Sequence, residues 1–128
     1  MINKIYEISE GDKLYPEKLL KIKDRPNKIY AVGNVKLLKN KAVAIVGSRI
    51  STPYGEHYAA KFAKEIAQKG ITIVSGLAKG IDSEAHLGAI YAKGLTTAVL
   101  GNGLDTIYPK ENVDLAKQII KNKGCIIS

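Results

Sequence analysis

From Ala42 onward the chain alternates short apolar runs with longer amphipathic ones, and this rhythm limits the folds open to it. Ala42-Val43-Ala44-Ile45-Val46 is continuous, apolar and rich in β-branched residues, which is how a strand buried on both faces of a parallel sheet reads. A helix is expected next. Thr52 is suited to cap it and Pro53 to open it, because proline's missing N–H costs nothing at the first helical position. Tyr54, Tyr58, Phe62 and Ile66 recur every fourth residue and predict its apolar stripe, and Gly70 is expected to end it in a left-handed conformation. The cycle then repeats. Ile71-Thr72-Ile73-Val74 predicts a second strand, and Asp82 a cap for a helix running to Lys93 with Gly94 as its stop. Thr96-Thr97-Ala98-Val99-Leu100 predicts a third strand, Asn112 the cap of a third helix stopped by Gly124, and Cys125-Ile126-Ile127 the start of a fourth strand. Alternation at this spacing means right-handed crossovers and an α/β fold with a mainly parallel sheet.

Residues 1–41 are polar, lysine-rich and weakly periodic, and are read as a lead-in packed on a main domain of residues 42–128, the two making one globular unit. Tyr15-Pro16 and Arg25-Pro26 punctuate this stretch, since a residue before proline is pushed out of the helical region. Glu17–Ile22 between them suits a short helix, and Ile29–Asn34 a short strand running into a turn. The sequence stops at Ser128, so the sheet is expected to be truncated after about four core strands, or completed by a partner.

The chain has 128 residues with 20 basic and 12 acidic side chains, a formal net charge of +8. Such a balance points to a negatively charged partner, with nucleic acid first; a soluble domain that is merely lysine-rich remains open. Only Arg25 and Arg49 are arginines, and arginine is the better fork for phosphate, so an arginine in a glycine loop is more informative than any one lysine. Cys125 is the sole cysteine, which excludes an intrachain disulfide and a thiolate zinc site and suits a reducing compartment. No signal-peptide core and no apolar run near the ~18 residues of a membrane span occur, so the expected location is the cytoplasm, with no membrane partner.

Ligands of parallel α/β sheets bind outside the carboxyl ends of the strands. Three loops leave such ends: Gly47-Ser48-Arg49-Ile50-Ser51-Thr52, Ser75-Gly76-Leu77-Ala78-Lys79-Gly80-Ile81 and Gly101-Asn102-Gly103-Leu104-Asp105. Glycine lets a backbone approach a phosphate, and the first N–H groups of a helix carry partial positive charge. Hydroxyls of Ser48, Ser51 and Ser75 can add donors, and Arg49 a bidentate grip. Against this stands the reading that the glycines only make tight turns and the hydroxyls only cap helices; three converging loops favour an anion site. Neither the G-x-G-x-x-G nor the G-x-x-x-x-G-K-[ST] signature is present.

Asp82 and His86 share a helix face. They are read as an N-cap and a structural hydrogen-bonder beneath the loops, in preference to an acid–base pair or metal ligands. His57 is expected on the surface. Nothing names a catalytic nucleophile, so neither an enzyme, a metal nor a cofactor is expected. In Tyr108-Pro109-Lys110-Glu111-Asn112, Pro109 fixes a turn, Lys110 is read as a phosphate contact and Tyr108 as a buried anchor, with stacking on a base the alternative.

At these residues the chain resembles the DNA-processing protein A family, also called DprA or Smf. Val43–Arg49 followed by Ser51-Thr52-Pro53-Tyr54-Gly55 is similar to the family's opening, and Ile73–Asp82 with Ala85-His86 and Gly88-Ala89 to its most specific signature. Ala98–Asp105, Tyr108-Pro109 and Asn112 continue it in order, and Tyr15-Pro16, Leu19-Leu20, Pro26 and Tyr30–Asn34 resemble its lead-in. The resemblance implies a Rossmann-like three-layer sandwich that binds single-stranded DNA, serves natural transformation and helps load the RecA recombinase. It implies that Gly47, Ser48 and Arg49 hold phosphate, that Ser75, Gly76, Gly80, Gly101 and Gly103 shape the same pocket, and that Lys110 lies among further DNA contacts; Lys79 belongs to the same set. Single-stranded DNA and RecA are the implied partners, and a homodimer stays open. A nucleotide-binding enzyme or sensor of the phosphoribohydrolase type is the alternative, although the P-G-G-x-G-T segment usual there is missing.

Overall fold

The computed structural model describes residues 4–128. One sheet runs through them, with strands β1 (Ile5–Ser9), β2 (Lys28–Gly33), β3 (Ala42–Ala44), β4 (Thr72–Ser75), β5 (Thr96–Val99) and β6 (Cys125–Ile127) in the spatial order β1-β2-β6-β5-β4-β3. β3 to β6 pair in parallel, and the crossovers carry helices α1 (Pro53–Ala67), α2 (Ile81–Tyr91) and α3 (Val113–Lys121). The α/β expectation holds, with two additions. β1, an unforeseen strand, pairs antiparallel with β2, and β2 pairs antiparallel with β6. β1 and β2 thus extend the sheet itself. Glu17–Lys21 and Val35–Lys39 form single turns of 3-10 helix. No helix among the described residues is long and apolar enough to cross a membrane.

All three α-helices lie on one face of the sheet. Ile73 packs with Ala63, Ala67, Ala85 and Ala89 of α1 and α2, while Ala98 and Ile126 pack with Leu115, Ala116 and Ile119 of α3. The alternate strand residues Thr72, Val74, Thr97, Val99 and Ile127 point the other way. With Leu19, Ile29 and Leu37 they line an open apolar groove of about 810 Å³. Tyr15 packs in the cluster of Ile29, Ala31 and Leu37, fully buried with its hydroxyl donating to the Pro26 carbonyl at 2.6 Å.

The capping signals of α1 read correctly. Thr52 is its N-cap, with Oγ1 accepting the Gly55 N–H at 3.0 Å, Pro53 opens it, and Gly70 beyond it has φ +80°. Of the expected stripe only Ile66 packs against this core, half-buried. Ala59, Ala63 and Ala67 face the core, whereas Tyr54 is 75 % and Phe62 51 % exposed. Size explains the correction. α1 and α2 approach so closely that a Cβ added to Gly88 would lie 2.4 Å from the Ala60 carbonyl oxygen, and rings cannot enter such a contact.

That contact makes a test. Gly88→Ala should lower the urea midpoint, because overpacking a backbone contact costs about 1–3 kcal/mol while alanine's better helix propensity returns only ~1 kcal/mol. Gly11→Ala, where a Cβ meets nothing within 4 Å, is the control.

Candidate functional site

The loops after β3, β4 and β5 meet above the carboxyl ends of the strands, and Asp82 joins the first two. One carboxylate oxygen accepts the Gly47 N–H at 3.2 Å and the other accepts the Gly76 N–H at 3.1 Å. Asp82 is therefore not the N-cap that was expected. Gly80 holds that position without any side-chain cap bond, and Asp82 sits inside the first turn, 6 % exposed, with its carboxylate turned back to the loops. The positive end of the helix dipole favours a carboxylate there. Gly80 has φ +79°, and a Cβ on it would fall 2.4 Å from the Ser48 carbonyl oxygen. Glycine there lets the second loop lie directly on the first.

Leu77 is fully buried at φ +64°, a conformation that a branched side chain adopts only when its surroundings enforce it. Both sides of the residue are held. Its N–H donates to His86 Nε2 at 3.2 Å, and its carbonyl accepts from Asn112 Nδ2 at 2.7 Å. His86 Nδ1 lies 2.7 Å from Thr96 Oγ1, which itself donates to the Ile73 carbonyl. The proton of the neutral imidazole therefore resides on Nδ1. His86 is the structural hydrogen-bonder beneath the loops that its position suggested, and burial pushes its pKa down to about 4. Asn112 precedes α3 but makes no side-chain cap bond. Its amide also donates to Ser83 Oγ at 2.9 Å, so it ties the third loop to the second.

The candidate hydroxyls all bond within the protein. Ser75, 2 % exposed, donates to the Ile45 carbonyl, Ser48 to the Ile50 carbonyl and Ser51 to Glu56, at 2.6, 2.7 and 2.7 Å. Gly101 borders open space, and a Cβ on Gly103 would meet Asp105 Oδ1 at 2.9 Å.

Charged and apolar groups rim the loops. Arg25 is tied to Glu10 at 2.6 Å, whereas exposed Arg49 has no side-chain partner among the described residues. Lys79 pairs with Glu111, a partner that sequence reasoning missed. Their mutual hydrogen bond raises the lysine pKa and lowers that of the glutamate. Lys110 is exposed beside them. Tyr108, expected as a buried anchor, is 65 % exposed; neighbouring Pro109 is buried instead and anchors the loop. Ile50 at the tip of the first loop is 92 % exposed, and Tyr54 follows it. His57 is on the surface as expected. No group of three or more His, Cys, Asp or Glu side chains suited to a metal occurs among the described residues.

Residues 7–128 match the family described as DNA recombination-mediator protein A. The chain belongs to that family. It is 39% identical to protein Smf of Escherichia coli over 121 residues, covering 94% of this chain and 32% of that protein. It is 43% identical to DNA processing protein DprA of Bacillus subtilis over 119 residues, covering 92% of this chain and 40% of that protein. The chain thus spans well under half the length of these relatives. The crystal structure of DNA processing protein A from Streptococcus pneumoniae superposes with a TM-score of 0.86 at 39% identity, covering 98% of this chain and 44% of that one. The Helicobacter pylori protein, whose structure describes its single-stranded DNA binding mode, gives 0.80 at 31% identity, covering 98% and 55%. The Rossmann-like fold and the resemblance to the DprA/Smf family are both borne out.

Two outcomes test this geometry. The unfolded chain protonates His86 near its ordinary 6.5, while the folded chain resists to about 4. Unfolded chains then bind more protons between these values, so stability is complete above the upper one and falls as pH drops toward the lower. Urea melts should show a loss of about 2 kcal/mol between roughly pH 7 and pH 5, absent in His86→Gln. Asp82→Asn turns an amide donor toward one of two N–H groups that both need an acceptor, and should cost about 1–3 kcal/mol in the same melts.

Proposed function

We propose that this chain binds single-stranded DNA by its phosphates at the rim of the three loops, and that it does so as part of a recombination mediator acting on incoming DNA and loading RecA in the cytoplasm. The observation that carries the reading is Arg49, an exposed guanidinium without a side-chain partner among the described residues, in a loop that leaves the carboxyl end of a parallel strand. A net charge of +8 supports a polyanion. Membership of a family of recombination mediators supports DNA, and the single-strand binding described for the Helicobacter pylori protein supports the unpaired form.

The Asp82 carboxylate supports an outward seat for phosphate. It occupies the Gly47 and Gly76 amides and places negative charge beneath the loops. A phosphate in that seat would lose two donors and meet repulsion. We therefore place the DNA further out, on Arg49, Lys79 and Lys110, with Gly47, Gly76 and Gly80 setting the shape of the loops.

Fluorescence anisotropy with a labelled oligothymidine, single-stranded and duplex, at two salt concentrations tests this. The single strand should bind more tightly, and more weakly as salt rises. Arg49→Ala should weaken binding and reduce the salt slope by about 0.7 for each phosphate that the arginine neutralises. Unchanged affinity and slope in that variant would remove Arg49 from the interface.

A further inference from the structure

We propose that the aromatic ladder of α1 is a base-stacking track that continues the phosphate-binding rim, so that one strand lays its backbone on Arg49 and its bases on the exposed rings of Tyr54 and Phe62, with half-buried Tyr58 bracing them from between. The inference rests on the single-strand reading above. Tyr54 and Tyr58 lie with ring centroids 4.7 Å apart, and Tyr58 and Phe62 5.7 Å apart, tilted by 51° and 45°. The ladder is displaced by about 100° from the buried alanine stripe, since Ala59 follows Tyr58 by one residue. Its outer faces are therefore turned away from the core, and Tyr54 is 75 % exposed.

Position and charge select the occupant. The ladder starts two residues beyond Thr52, where the Arg49 loop enters the helix, and Ile50, which follows the arginine in the chain, is 92 % exposed. Lys61 Nζ lies over the Tyr58 ring, 5.7 Å from its centre, which sets a cation between the two exposed rings along the ladder. Flat π-faces bordered by positive charge suit a base with its phosphate. Spacing excludes the duplex. Neighbouring ring centroids stand 4.7 and 5.7 Å apart, whereas stacked nucleotides in a duplex strand rise about 3.4 Å. Only a strand released from helical stacking can place separate bases on Tyr54 and Phe62.

The test compares two labelled oligomers of equal length, oligothymidine and its abasic counterpart, which share phosphates and differ in bases. Wild-type protein should bind the thymidine form about tenfold more tightly. Tyr54→Ala should erase most of that preference and leave abasic binding unchanged, Tyr54→Phe should keep it, and Phe62→Ala should reduce it. All variants are checked by thermal melting. Equal weakening of both oligomers by Tyr54→Ala, or an intact preference, overturns the track; if Arg49→Ala still weakens both, the phosphate reading survives. Wild-type protein that binds neither oligomer overturns both proposals. A dimer seen by light scattering and dissolved by Tyr54→Ala, with DNA binding unaltered, assigns the ladder to a second copy of the chain and overturns the track.

Discussion

The Asp82 carboxylate bridging the amides of Gly47 and Gly76 is the contact on which the upper half of this structure depends. It fixes the first turn of α2 against two loops at once. One helical turn later His86 lies on the same face and reaches the Leu77 N–H. That bond, with Asn112 on the Leu77 carbonyl, holds a buried leucine in the left-handed region and so sets the path of the second loop. α2 acts as a post, and its upward face supplies acceptors that the loop amides would otherwise lack. Buried donors left unmade cost more than made ones return, so the arrangement is favoured as a unit.

The same carboxylate changes how the anion-site logic applies. A helix N-terminus and glycine-rich loops attract negative charge, and here an internal group already answers much of that attraction. In the proposed reading, what remains for an external anion falls to side chains at the rim, Arg49 above all. Lys79 arrives already paired to Glu111, so a phosphate there exchanges one anion for another. Such a surface favours a long, repeating polyanion over a single phosphate, because each contact is modest and their number supplies affinity.

Much of this was legible in the sequence. β4, β5 and β6 are short runs rich in β-branched residues and bounded by glycine or polar residues, and the α1 cap is written in Thr52-Pro53. The three loops were located because parallel strands end where glycine begins. β1 was hidden because Ile8 is its one buried residue, and a pairing at a sheet margin needs no apolar run. β3 was expected to reach Val46 but ends at Ala44, since it has β4 as its single neighbour. The Asp82 bridge was not legible for a different reason. Sequence places a carboxylate in the first turn of a helix, but only the packed loops show that two amides wait for it.

The misread face of α1 and the aromatic ladder have one cause. Four-residue spacing marks both the tyrosine–phenylalanine row and the alanine row, and hydrophobicity alone selects the rings for the core. Packing selects the alanines, because α2 presents Gly88 and leaves no room for larger groups at Ala60 and Ala63. Once small residues take the interface, the rings are turned outward as a consequence of the same register. Exposed apolar surface of this kind is normally limited in a free-standing chain, so in the proposed reading the rings that follow the Arg49 loop are explained by what they meet rather than by the fold that displays them.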